Sequence, residues 1–277
     1  MKRLPRLLLL AVGATALTAG VLVARQEPTS QVPVRDAREL RRIRATEARQ
    51  GVAADSGYLY AIDNRRIAKY DKRTGARVGA WEDPPGGRIK HLDGGVVIEG
   101  RLYAAHSNYP ELPMTSSIEV WDAATLRHVE SHSFGVHAGS ATWVDRRDGA
   151  WWVVFANYET TGGLPGRGVE WTVLERYDDQ WRRTGGWTLP PALVERLRPF
   201  SNSGGVWAPD GTLYLTGHDH REMYVVRLPA AGSELEWVET IRGITPGQGI
   251  ALDPAQPRTL YGIDRASTEI VVMEIPR

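Results

Sequence analysis

A short apolar segment that follows a glycine and runs into an acidic turn recurs along the chain. Gln50-Gly51-Val52-Ala53-Ala54-Asp55 is nearly copied by Gln248-Gly249-Ile250-Ala251-Leu252-Asp253. Gly205–Asp210, Gly95–Glu99 and Ser140–Asp145 keep the outline. After a turn, each leads to a second segment with two large residues: Leu59-Tyr60, Leu102-Tyr103, Trp151-Trp152, Leu213-Tyr214 and Leu260-Tyr261. A third segment follows and often ends in aromatic-Asp, as at Tyr70-Asp71, Trp121-Asp122 and Tyr177-Asp178. Asp at such a site suits a tight turn, because its carboxylate accepts from backbone N–H groups ahead. A more polar fourth segment closes four units, near 77–81, 127–133, 181–187 and 235–241.

Repeats of roughly forty to sixty residues, each of four antiparallel strands, define an all-β, five-bladed β-propeller. No long amphipathic helix interrupts them, which argues against a TIM barrel or a dinucleotide-binding fold. The last unit ends after three strands, at Met273–Arg277. Its missing outer strand is expected from the N-terminal side: Leu40–Thr46 should pair with Glu269–Met273, closing the ring and removing two sheet edges. Asp36 and Glu39 have the spacing of a capping box, a competing helical reading, but the repeat favours a strand.

The chain has 277 residues with a formal net charge of +1, so charge gives no case for nucleic-acid binding. Cysteine is absent, which excludes disulfides, thiolate metal sites and a cysteine nucleophile. Lys2, Arg3 and Arg6 precede an uncharged apolar run from Leu7 to Ala24. Residues 1–24 are therefore expected to be an export signal, or an uncleaved anchor that would be the only membrane attachment. Either way the domain is expected outside the cytoplasm, secreted or extracytoplasmic. Residues 25–37 read as a linker and 38–277 as the propeller, acting as a monomer.

Propeller topology places the polar residues. Loops leading into the inner strands, and loops joining second to third strands, all reach the top face. The first set carries Gln50, His91 with Asp93, His137 with Ser140, Asn202 with Ser203, and Gln248. The second carries Asp63 with Asn64, His106 with Ser107 and Asn108, Asn157 with Tyr158 and Glu159, His218 with Asp219 and His220, and Asp264 with Arg265. A small-molecule substrate is expected there, under longer top loops that act as a rim. His106, His218 and Asp264 are the candidate catalytic residues, with His106 first choice as general base because histidine titrates near neutrality. Gln50, Asn108, Asn157, Glu159 and Gln248 are candidates for binding substrate. The two amides Asn108 and Asn157 could donate to a carbonyl or oxyanion. His218 and His220 stand at i and i+2, on one side of a strand, and could share a divalent metal. The bottom turns are plainer, and changes at Lys72, Arg73, Arg147 or Asp210 are expected to be nearly silent. No GxSxG, P-loop, HExxH or placed GxGxxG motif is present.

Arg49–Tyr60, Lys69-Tyr70-Asp71 and Arg73-Thr74-Gly75 resemble the opening blade of plant-type glutaminyl cyclases, and Gly100–Tyr103 with Trp121-Asp122 continues the likeness. Those are secreted five-bladed propellers that cyclise N-terminal glutamine. The resemblance implies a cyclising enzyme. A second comparison, with lactone-handling propellers that hold a channel metal by carboxylates and amides, extends the expectation to a ring-opening one, as cyclase, cycloisomerase or lactonase. The cyclase family's acidic residue directly after the first Leu-Tyr is replaced by Ala61, so cyclase activity is not carried over. A non-catalytic binding or protein-interaction propeller is the alternative.

Overall fold

The computed structural model describes residues 32–243 and 245–276. The expected export segment therefore lies outside the described residues. Five small antiparallel sheets form the propeller. The first blade runs Gly51–Ala54, Tyr58–Asp63, Arg66–Asp71 and Arg77–Glu82, and the second His91–Ile98, Arg101–Ser107, Ser116–Asp122 and His128–Gly135. The third is Ser140–Arg147, Ala150–Ala156, Val173–Tyr177 and Arg183–Thr188, and the fourth Gly204–Trp207, Leu213–Thr216, Glu222–Arg227 and Glu236–Arg242.

The fifth blade takes Ala251–Leu252, Thr259–Asp264 and Glu269–Glu274 from the C-terminus and Arg38–Arg44 from the N-terminus. Ile43 faces Ile270 and Arg44 faces Glu269 across this antiparallel closure. The closing strand is thus present, and the helical alternative is not. The end of the segment expected to be a linker also takes part. Val34–Asp36 adds a fifth, parallel strand to the outer edge of the fourth blade, opposite Thr240–Arg242.

Alternation along each strand sends successive side chains to opposite faces of a blade. Leu59 and Ala61 face the fifth blade, whereas Tyr60 and Ile62 face the second. The apolar core is consequently divided into five clusters, one between each pair of neighbouring blades. Fully buried Trp121, Trp143, Tyr60, Tyr224 and Phe155 fill the wedges, each contributing roughly 2–3 kcal/mol by removal from water. The aromatic-Asp turns form as expected. Asp71 and Asp122 each accept from a backbone N–H and a threonine hydroxyl three residues on, and Asp178 accepts from Gln180 and Arg182 N–H.

At the axis the inner strands touch. A Cβ added to Gly249 would lie 2.8 Å from Gly51 Cα and 3.0 Å from Gly94 Cα, and one on Gly205 would lie 2.4 Å from the Trp143 ring. Glycine is required because backbone meets backbone. Trp143 fills the remaining gap, with its Nε1–H donating to Asn202 Oδ1 at 2.7 Å.

Candidate functional site

Above the glycine contacts lies a cavity of about 340 Å³, within the range of small-molecule sites. All five loops joining second to third strands reach it, through Asn64, Tyr109 with Pro110, Tyr158, His218 and Arg265. Segments leading into inner strands supply Gln50, His91 with Asp93, Ser203 and Gln248, and Lys90 and Phe200 complete the lining. The topological expectation of a top-face pocket drawn from these two sets of loops therefore matches the structure.

Asp93 forms the most unusual feature. It is 4% exposed, and its Oδ1 has no hydrogen-bond partner. Burial pushes its carboxyl well above the ordinary range, opposed in part by the charge of Arg265 and the Gly94 N–H. His91 Nε2 stands 3.7 Å from Asp93 Oδ2, too far for a hydrogen bond but within reach after a small shift. Burial, with the positive potential of His106 and Arg265, pushes His91 down to about 4. Both shifts favour the uncharged forms, the protonated acid and the neutral imidazole. Tyr109 packs against the His91 ring at 4.9 Å and against Tyr158 at 5.3 Å. The Tyr158 hydroxyl is also raised, chiefly by burial and then by the potential of Asp93.

On the opposite sequence half, Arg265 Nη1 donates to His218 Nε2 at 3.1 Å, and His218 Nδ1 donates to Asp219 Oδ1 at 2.6 Å. Phe200 stacks on the His218 ring at 4.5 Å. His218 thus serves to orient Arg265. Gln50 Nε2 donates to Asn64 Oδ1 at 2.7 Å. Gln248 is 2% exposed, has a backbone φ of 74° and leaves its buried Nε2 without a partner.

Gln50, Gln248 and His218 therefore line the pocket as the sequence suggests; the other candidates stand elsewhere. His106 is turned into the second blade: its Nε2 accepts from Lys90 N–H at 3.0 Å, and its Nδ1 donates to Ser117 Oγ at 2.9 Å. Ser117 in turn donates to Glu119, which also holds His128. His106 supports the strand that carries His91 and has no lone pair free for a base. Asn108 ties its own loop, accepting from Thr115 N–H and donating to Pro113 O. Asn157 is buried and donates to Ala138 O and Trp171 O. Glu159 pairs with Arg198 beside a separate cleft of about 470 Å³. Asp264 binds Arg42 of the closing strand at 3.2 Å and accepts from Ala266 N–H. His220 is exposed and does not line the pocket.

A metal held by His218 and His220 finds little support in this geometry, since both His218 nitrogens are engaged, one by a guanidinium. No group of three or more His, Cys, Asp or Glu among the described residues is arranged to hold a metal ion. His137, also expected near the mouth, instead meets Glu175 at 2.8 Å within the third blade.

Sequence reasoning named Asp93 and Arg265 among the top-face residues without choosing them. Gly94-Gly95 inside an apolar strand was the available signal. The pairing of the second blade's inner strand shifts register between Leu92 and Gly95, and this bulge re-aims Asp93 into the cavity.

No protein-family model matches the chain, and no curated protein matches it. Among solved structures, a luciferin-regenerating enzyme aligns with a TM-score of 0.47 and 13% identity over 85% of this chain and 80% of that one. The WD40 repeats of RRP9 give 0.46 and 12% over 81% and 79%. Hydrazine synthase of Kuenenia stuttgartiensis gives 0.48 and 11% over 81% and 83%. These likenesses carry no activity to this chain, and the fold rests on the five sheets themselves. The glutaminyl-cyclase resemblance stays with its strand and turn motifs: Ala61 is fully buried in the core between the first and fifth blades.

Proposed function

We propose that this propeller is an enzyme that opens or closes a ring in a small molecule within the top-face pocket by acid–base chemistry. The observation that carries the reading is the buried Asp93 carboxyl, its Oδ1 without a hydrogen-bond partner, beside a neutral His91 in a cavity that also holds an oriented arginine. Two groups whose surroundings drive them to opposite protonation states divide the work of acid and base. In lactone opening, water adds to the carbonyl carbon and its proton passes to His91. The ring C–O bond then breaks, and Asp93 protonates the departing oxygen. The product is a hydroxy acid, and proton exchange between the pair through the product or solvent restores both groups. Arg265 faces the oxyanion that forms on the carbonyl oxygen. Cyclisation is the reverse sequence.

The charged and then apolar N-terminus supports work outside the cytoplasm, and cell fractionation tests that part. For the chemistry, purified protein is screened with lactones, following proton release, and with glutaminyl peptides, following ammonia release. Asp93→Asn and His91→Ala should each lower kcat/KM about a hundredfold or more. Turnover retained in both variants would overturn the reading. Ligand binding without turnover in the wild-type protein would favour a binding propeller instead.

A further inference from the structure

The same pocket carries information on its ligand, and the inference rests on the reading above. Two hydrogen-bond donors of the lining are not matched to a carboxylate or a carbonyl of the protein among the described residues. Gln248 Nε2 is buried and has no partner. Asp93 Oδ1 is likewise buried without a partner. Arg265 lines the cavity but forms no ion pair with a carboxylate among the described residues; its one hydrogen bond there is to the His218 ring. Lys90, the other cation of the lining, is already neutralised by Glu111. Among the described residues, the pocket therefore presents an unpartnered amide N–H and a guanidinium with no carboxylate in salt-bridge contact. Such a set disfavours a cationic ligand and leaves an amide or alcohol unable to satisfy every donor. A carboxylate, with about four lone-pair sites on two oxygens, can. Beside these groups the edge-to-face Tyr109–Tyr158 pair offers aromatic surface.

We propose that the ring-opened form bound here is a monocarboxylate, its carboxylate held by Arg265 and Gln248 and its apolar body against Tyr109 and Tyr158. The relay from Asp219 through His218 holds the guanidinium in the lining.

Titration calorimetry on the purified chain at pH 7 tests this with phenylacetate, phenylacetamide, phenyl phosphate and benzylamine as probes. Phenylacetate should bind at least tenfold more tightly than phenylacetamide, and benzylamine should not bind measurably. Arg265→Gln should erase the preference for phenylacetate, and Arg265→Lys should restore part of it, with melting temperatures close to wild type in both. Equal affinity for acid and amide would overturn the proposal. So would an unchanged preference in Arg265→Gln, saturation by phenyl phosphate but not phenylacetate, or no binding of any probe. These measurements need no turnover, so their failure leaves the Asp93 and His91 test standing. An Asp93→Asn protein that is inactive yet still prefers phenylacetate supports both readings separately.

Discussion

The Lys72 ammonium lies 2.9 Å from Asp253 Oδ2, joining a turn of the first blade to the inner edge of the last. Both side chains are largely buried, at 12% and 6% exposure. The bottom face is therefore less plain than its turn motifs suggest, and Lys72 cannot be treated as silent. Asp253 keeps Tyr261 Oη–H and two backbone N–H groups when the lysine is removed. Lys72→Ala should accordingly cost about 2 kcal/mol, the scale of one charge-assisted hydrogen bond. Denaturant unfolding measures it; ligand binding at the top face should not change.

Asp93→Asn should stabilise the protein while it disables the pocket. The folded Asp93 keeps its proton well above the ordinary carboxyl range, whereas the unfolded chain releases it near pH 4. Between those points the folded state binds more protons, so this group's contribution to stability falls as pH rises. His91, pushed down to about 4, acts oppositely: its contribution rises with pH up to about 6.5. Because His91 is present in both proteins, the difference isolates Asp93. Melting temperatures should coincide near pH 3–4 and separate in favour of the variant as pH rises. A gap that does not depend on pH would contradict the shifted carboxyl.

Asn157→Ala should behave as a structural variant. The side-chain amide satisfies Ala138 O and Trp171 O, bracing the long loop against the third blade. Its loss leaves those carbonyls without their donor and should cost about 2 kcal/mol. Binding by refolded protein should be close to wild type. A large loss of affinity at unchanged stability would return Asn157 to the pocket.

Gly249→Ala should be among the more damaging single-methyl changes in the ring. The new Cβ would meet Gly51 Cα, Gly94 Cα and Gln50 O, all backbone atoms that cannot rotate away. Overpacking of this kind costs about 1–3 kcal/mol, and the upper end is expected because strands from two other blades must move. Thermal unfolding beside Gly57→Ala, which has an open site, provides the comparison.

The repeat made the fold readable because each blade restates the same turn and core demands, and the lone three-stranded unit forced the chain ends together. The face carrying the pocket followed from strand direction alone. Individual residues did not follow, because a strand-end side chain is aimed by local geometry that topology leaves open. In two second-to-third loops the readable acidic residue caps the turn and its neighbour enters the cavity. Asp63 accepts from Asn64 N–H while Asn64 lines the pocket, and Asp264 accepts from Ala266 N–H while Arg265 lines it. Histidine misled for a related reason: His106 and His137 have the expected addresses, but buried Glu119 and Glu175 draw them into the blades.

The contact of Gly51, Gly94 and Gly249 across the axis has a kinetic side. With backbone packed against backbone, and Trp143 beside it, the well above has a floor. Under the proposed chemistry, a molecule would then enter and leave on the side of the loops, and release past their side chains could govern the rate without touching a reacting atom.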